Sequence, residues 1–150
     1  MIRLRLAAIA AALALSACRT TAGAVLRVDP PPSEPGAVAD AQQYRIARAI
    51  RDVVATDRME CREGSGPVLL SCFPADVGTR SAQVTIQLER SGSGYQVSLV
   101  ESFLALGGPK ALCAVQDRLI RGIDAELGVP SAKPDARGRC AGQPPRNSGP

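Results

Sequence analysis

Hydrophobic and polar residues alternate most regularly over residues 82–89. Four apolar side chains are interleaved there with four polar ones: Ala82, Val84, Ile86 and Leu88 against Gln83, Thr85, Gln87 and Glu89. A period of two residues is typical of a strand with one face on a core and one face in water. Glycine and serine follow at residues 91–94, and Tyr95, Val97 and Leu99 then resume the alternation. The pattern predicts an antiparallel hairpin with a tight turn.

The returning strand breaks its own pattern near its end. Glu101 falls on the same face as Tyr95, Val97 and Leu99, which are apolar. Val100 and Leu104 fall on the other face. Either a bulge shifts the register or both faces of the sheet are partly covered. Glu101 is the one acid that the pattern could bury, and we expect its carboxylate to reach solvent or to meet an arginine.

An earlier segment predicts a second hairpin. Residues 59–63 and 68–73 both have strand character, and the sequence between them is Gly64-Ser65-Gly66-Pro67, which favours a turn. This arrangement brings Cys61 and Cys72 close to opposite positions on neighbouring strands.

Two other segments have apolar residues at the three-and-four spacing of a helix face. The first stripe contains Ile46, Ala47, Ile50, Val53 and Val54, and the second contains Leu112, Val115, Leu119, Ile123 and Leu127. Gly107-Gly108-Pro109 opens the second helix, and Gly128 with Pro130 closes it. Arg45, Arg48 and Arg51 flank the first stripe; they predict a solvated helix face rather than a basic ridge for anionic lipid or glycan.

These elements predict one α+β domain over residues 38–128. Its order is α-β-β-β-β-α, with an antiparallel sheet of about four strands and both helices on one face. Proline and glycine concentrate on either side, which predicts a flexible tether over residues 18–37 and a loose tail over residues 129–150. Residues 25–28 are rich in apolar side chains and could add an edge strand, but four residues are a weak signal, so we assign them to the tether.

The N-terminus has the organisation of an export signal. Arg3 and Arg5 precede an apolar run over residues 6–15, which is shorter than the roughly 20 residues that a membrane helix needs. Leu15-Ser16-Ala17-Cys18 resembles the lipobox of bacterial lipoproteins. The resemblance, confined to residues 1–18, implies a signal peptide of residues 1–17 and a lipid such as palmitate on Cys18. The alternative is an ordinary secretory signal that ends near a cysteine.

Arg19 follows that cysteine, where many lipoproteins retained at the inner membrane of enteric bacteria have aspartate. The resemblance therefore implies an outer-membrane anchor with the domain facing the periplasm. An inner-membrane anchor and a soluble periplasmic protein are the alternatives.

The cysteine count agrees with this interpretation. Five cysteines leave an odd one in an oxidising compartment, but a lipid on Cys18 leaves Cys61, Cys72, Cys113 and Cys140 for two disulfides. We predict Cys61–Cys72 and Cys113–Cys140; a Cys61–Cys113 bridge would instead join the first hairpin to the last helix. Without a histidine or a C-x-x-C pair, no metal site is predicted.

Composition narrows the function by exclusion. The chain has 18 basic and 14 acidic residues, and removal of residues 1–17 takes away two arginines, which leaves a formal charge of +2. That balance and export argue against nucleic acid as a partner. Without histidine, the chain cannot form a Ser-His-Asp or Cys-His catalytic group, and no cofactor-binding glycine motif occurs.

We therefore expect a non-enzymatic adaptor or assembly accessory that contacts another envelope protein and uses no cofactor. One alternative is a binder of a small apolar or anionic ligand, which predicts a pocket lined by Tyr95, Phe103 or Phe73. Another is an inhibitor of a secreted hydrolase, which predicts a protruding loop at residues 64–67 or 76–80.

Overall fold

The protein is an α+β sandwich of two layers, a sheet and a pair of helices. The structure, a computed structural model, describes residues 19–32, 39–75, 83–104 and 110–135. Its elements in chain order are β1 (Arg19–Val28), α1 (Ala39–Ala55), β2 (Met59–Glu63), β3 (Val68–Pro74), β4 (Gln83–Ser91), β5 (Gly94–Leu104), α2 (Lys110–Leu127) and β6 (Ala132–Pro134).

All neighbouring strands are antiparallel, and the sheet order is β2-β3-β4-β5-β1-β6. One side of the sheet, the helix-covered face, is apolar because alternate residues of successive strands are buried on it: Ala24, Leu26, Val28, Leu70, Cys72, Val84, Ile86, Leu88, Tyr95, Val97 and Leu99. The opposite side, the open face, contains Thr85, Gln87, Gln96 and Ser98. The predicted alternation of β4 is thus confirmed.

Both predicted hairpins are present, and their turns differ. The β4–β5 connection needs glycine at Gly92, whose φ of 60° is in the left-handed region. In β3 the register shifts between Val68 and Leu70, so the sheet does contain an irregularity. Of the two alternatives for β5, the bulge is absent from its pairing with β4, which runs unbroken from Gly94 to Ser102.

The described sheet has six strands, two more than the four or so that we predicted. β1 occupies residues that we assigned to a flexible tether, and it pairs with β5 along its whole length. Its buried residues Ala24, Leu26 and Val28 do alternate with Gly23, Val25 and Arg27. Glycine and alanine have low strand propensity, so the first half of this alternation gave a weak signal.

β6 lies within the predicted tail and pairs with β1, at Leu26↔Pro134 and Val28↔Ala132. The carboxylate of Asp124 on α2 accepts two backbone hydrogen bonds, each of 2.8 Å, from the N–H groups of Ser131 and Ala132. The short strand is therefore fixed from the helix side as well as from the sheet. The folded domain extends beyond the predicted limits of 38 and 128 at both ends.

The two helices lie side by side and antiparallel on the helix-covered face. They approach closely at Gly122, where an added Cβ would lie 2.7 Å from Val53 Cγ2. Ion pairs join the helices at both ends of this crossing, between Arg45 and Glu126 and between Arg118 and Asp57. α2 ends as predicted at Gly128, which has a φ of 77°. The predicted opening at residues 107–109 lies outside the described residues.

Candidate functional site

The disulfide between Cys61 and Cys72 is confirmed. The two residues are directly opposite in the β2–β3 pair, with their Cα atoms 4.0 Å apart. Cys113 is also disulfide-bonded, and its partner lies outside the described residues. Cys18 and Cys140 both lie there too, so the Cys113–Cys140 pairing and the lipid on Cys18 stay predictions.

Glu101 is fully buried on the helix-covered face, at 0% exposure. It does not reach solvent and meets no arginine among the described residues, contrary to our expectation. Instead the backbone N–H of Leu112, in the first turn of α2, donates a hydrogen bond of 2.7 Å to Glu101 Oε2. The amides of a helix N-terminus are unsatisfied within the helix and favour negative charge. Glu101 Oε2 therefore holds the start of α2 against β5, whereas Oε1 is buried without a hydrogen-bond partner among the described residues.

The arginines beside the α1 stripe do not form a free basic ridge. Each has an acidic partner: Arg45 pairs with Glu126, Arg48 with Asp52 and Arg51 with Glu63. Their charges are compensated locally. Arg45 and Arg48 are also exposed, which agrees with the predicted solvated face.

A cleft of ≈ 300 Å³ lies between α1 and the β2–β3 hairpin, at the edge of the sheet. We call it the hairpin cleft; its lining residues are Gln43, Tyr44, Ala47, Arg51, Glu63, Gly64, Gly66, Val68 and Leu69. Its apolar wall comes from α1 at Ala47 and from the start of β3, where the register shift lies. Its two charged residues, Arg51 and Glu63, are 3.4 Å apart and neutralise each other.

Tyr44 is the most exposed large hydrophobic side chain among the described residues, at 64%. It stands at the hairpin cleft on a helix whose other large apolar residues are turned toward the core. We did not identify this residue from the sequence. The available signal was an aromatic residue among polar neighbours, one turn before Ala47, but the position of the hairpin beside it follows only from the fold.

Two of the residues expected to line a small-ligand pocket, Tyr95 and Phe73, lie on opposite faces of the sheet. Tyr95 is buried in the core on the helix-covered face. Phe73 lies on the open face, where the Arg62 guanidinium stacks 4.9 Å from its ring centre. The side chain of Phe103 lies outside the described residues, so a pocket at that residue stays a prediction.

Of the two loops that an inhibitor could use, only residues 64–67 are described. They are exposed, but they form a compact turn in which Gly64 N–H donates to Leu69 O and Arg90 N–H donates to Pro67 O, at 3.2 and 3.4 Å. Residues 76–80 lie outside the described part of the chain.

Neither α1 nor α2 is long and apolar enough to cross a membrane. No three Cys, Asp or Glu side chains within 19–32, 39–75, 83–104 and 110–135 converge as metal ligands.

Comparison with protein-family models, characterised proteins and solved structures finds no match to this chain. Its function must therefore be argued from its own sites.

Proposed function

We propose that this protein is a lipid-anchored adaptor of the bacterial cell envelope, without enzymatic activity, that docks another envelope protein at the hairpin cleft. The observation that carries the proposal is Tyr44, an aromatic side chain 64% exposed at the rim of a partly apolar cleft. Tyrosine combines a large apolar ring with a polar hydroxyl, which is why it is enriched in protein interfaces.

The charge of the cleft favours a protein segment over a small anionic ligand. Arg51 would be the natural anchor for an anion, but it is held by Glu63 at 3.4 Å. Arg90 donates to the side-chain oxygen of Gln43, which lines the cleft, at 3.1 Å. An anion would have to displace these partners.

The volume of the cleft also favours a protein segment over a small ligand. A volume of ≈ 300 Å³ is at the lower end of the range for small-molecule pockets, and one side is formed by an exposed turn at Gly64 and Gly66. It suits one apolar side chain of an extended segment, inserted between Ala47, Val68 and Leu69. The Tyr44 ring would cover that side chain, and polar groups at the rim would meet the partner's backbone.

Photo-crosslinking in intact cells tests this docking. A photo-reactive residue in place of Gln43, which lines the cleft, should yield one discrete adduct with another envelope protein. Adding Tyr44→Ala should reduce that adduct about tenfold or more, because buried aromatic anchors carry much of the binding energy of an interface.

Asp52→Ala provides the matched control, since Asp52 is exposed on the same helix and does not line the cleft. Its adduct should equal that of the unsubstituted chain. A yield that is the same with Tyr44→Ala as with Asp52→Ala would exclude the cleft as the docking site.

The proposed anchor is a lipid on Cys18, and the proposed location is the outer membrane. Replacement Cys18→Ala should move the protein from the membrane fraction to the soluble fraction and abolish an acyl mass on the N-terminal peptide, because one cysteine carries the whole anchor. Density-gradient fractionation tests the destination. A Cys18→Ala protein that still partitions with membranes, together with an unmodified wild-type peptide, would contradict lipidation.

A further inference from the structure

β2 is an end strand of the sheet among the described residues. An end strand has one row of backbone donors and acceptors without a strand partner, and these groups are ready to pair with another strand. Proteins usually protect such edges. Here the strand is short, with exposed side chains at Glu60, Arg62 and Glu63.

The hydrogen bonds of the hairpin identify which backbone groups face outward. Arg58 O accepts from Ala75 N–H, and Gly64 N–H donates to Leu69 O, so the even-numbered positions bond to β3. Antiparallel pairing alternates between bonded and non-bonded positions. Met59, Cys61 and Glu63 are therefore the residues whose N–H and C=O groups point away from the sheet.

The charges on β2 are arranged symmetrically about its central residue. Glu60 and Arg62 flank Cys61, and both project from the open face, since they are the neighbours of a residue that faces the helices. When a second β2 runs in the opposite direction with its Cys61 at the same level, its Arg62 stands beside Glu60 and its Glu60 stands beside Arg62. Within one chain, Arg62 already pairs with Glu60 at 3.8 Å and lies 4.9 Å from the centre of the Phe73 ring, so a second copy would extend an existing ion pair.

We propose that β2 pairs with β2 of a second copy of this chain, antiparallel, with the two-fold axis at Cys61. In this register Cys61 lies opposite Cys61 of the second copy, and Met59 lies opposite its Glu63. The outward N–H and C=O groups of these residues then form the bonded positions of the new pair. The result is one continuous sheet across both copies.

Charge complementarity selects a second copy as the occupant of this edge. The two-fold register places Glu60 opposite Arg62 of the second copy, and Arg62 opposite its Glu60. These are the non-bonded positions, where opposing side chains are closer and opposite charges stabilise the pair. An isologous contact of this kind uses every complementary pair twice.

The charge contacts of this pairing lie apart from the hairpin cleft, which shares only Glu63 with β2. The hairpin cleft lies on the side of the sheet covered by α1, whereas Glu60 and Arg62 project from the open face. Substitutions at these two positions therefore test the dimer and leave the lining of the cleft unchanged. Since one five-residue strand forms the contact, we expect a weak dimer with a small buried area.

Sedimentation velocity of the purified full-length protein, from about 10 µM to about 1 mM, should show a reversible monomer–dimer equilibrium. Glu60→Arg or Arg62→Glu alone places two like-charge pairs across the axis and should weaken the dimer about tenfold or more. The combined exchange E60R/R62E restores opposite charges in this register and should restore dimerisation. A merely structural role of either residue would not produce this recovery.

A proline substitution tests the backbone contact. Glu63→Pro removes an outward N–H and leaves the hydrogen bonds to β3 in place. Glu63→Ala is the control, since it removes the same carboxylate but keeps the N–H. The proline variant should weaken the dimer more than the alanine variant. A monomer throughout the concentration range would overturn the proposal. So would a dimer that withstands the single charge reversals, or one that E60R/R62E fails to restore.

Discussion

Replacing Glu101 with alanine should lower the free energy of unfolding by about 2–4 kcal/mol, one of the largest effects expected for a single substitution in this chain. The carboxylate is fully buried, and its Oε2 accepts the hydrogen bond from Leu112 N–H. Alanine leaves that amide without its acceptor in a dry environment and opens a cavity between β5 and α2. Urea denaturation followed by circular dichroism measures the change.

Glu101→Gln is the matched control, since it has nearly the same volume and keeps a side-chain oxygen that can accept from Leu112. We expect it to retain most of the stability that alanine loses. If both variants were as stable as the parent chain, the contact between Glu101 and the start of α2 would not support the fold.

Removing the Cys61–Cys72 disulfide should destabilise the protein by about 3 kcal/mol, the value that chain entropy gives for a loop of this length. The bridge closes a sequence separation of 11 residues and fixes the register of β2, which has only β3 as a strand neighbour among the described residues. The test is the unfolding of Cys61→Ala/Cys72→Ala compared with the parent chain, both without reductant.

Adding reductant to the same double variant isolates the second bridge, because Cys113 is also disulfide-bonded. A further loss of stability is expected, and non-reducing peptide mapping should join Cys113 to Cys140. A Cys113–Cys18 link would contradict both the predicted pairing and the lipid on Cys18. If the double variant unfolded at the same urea concentration as the parent chain, the hairpin would be stable without its bridge.

Patterns that are local in the sequence predicted their elements well. The strict alternation of β4 and the glycine turn after it define a hairpin without reference to the rest of the chain, and Gly128 marks the end of α2 in the same way. The Cys61–Cys72 bridge followed from the first hairpin because a short turn places the two residues on opposite strands.

Features that depend on distant partners were missed. β1 is rich in alanine and glycine, and it is a strand because β5 and β6 pair with it on either side. β6 has only three residues, and Asp124 on α2 helps to hold it. Glu101 and Tyr44 are similar cases. Local pattern predicted an exposed acid at residue 101, but tertiary packing buries it. It gave no sign of Tyr44, which the fold places beside a cleft.

The position of β1 determines how far the domain could move from its proposed anchor. A flexible tether over residues 18–37 would have let it reach about 70 Å from the bilayer, at 3.3–3.6 Å per extended residue. In the structure, the strand begins at Arg19, the residue after Cys18, and enters the sheet between β5 and β6. A lipid on Cys18 would therefore hold the sheet directly at the membrane surface, and a docked protein would have to come to that surface itself.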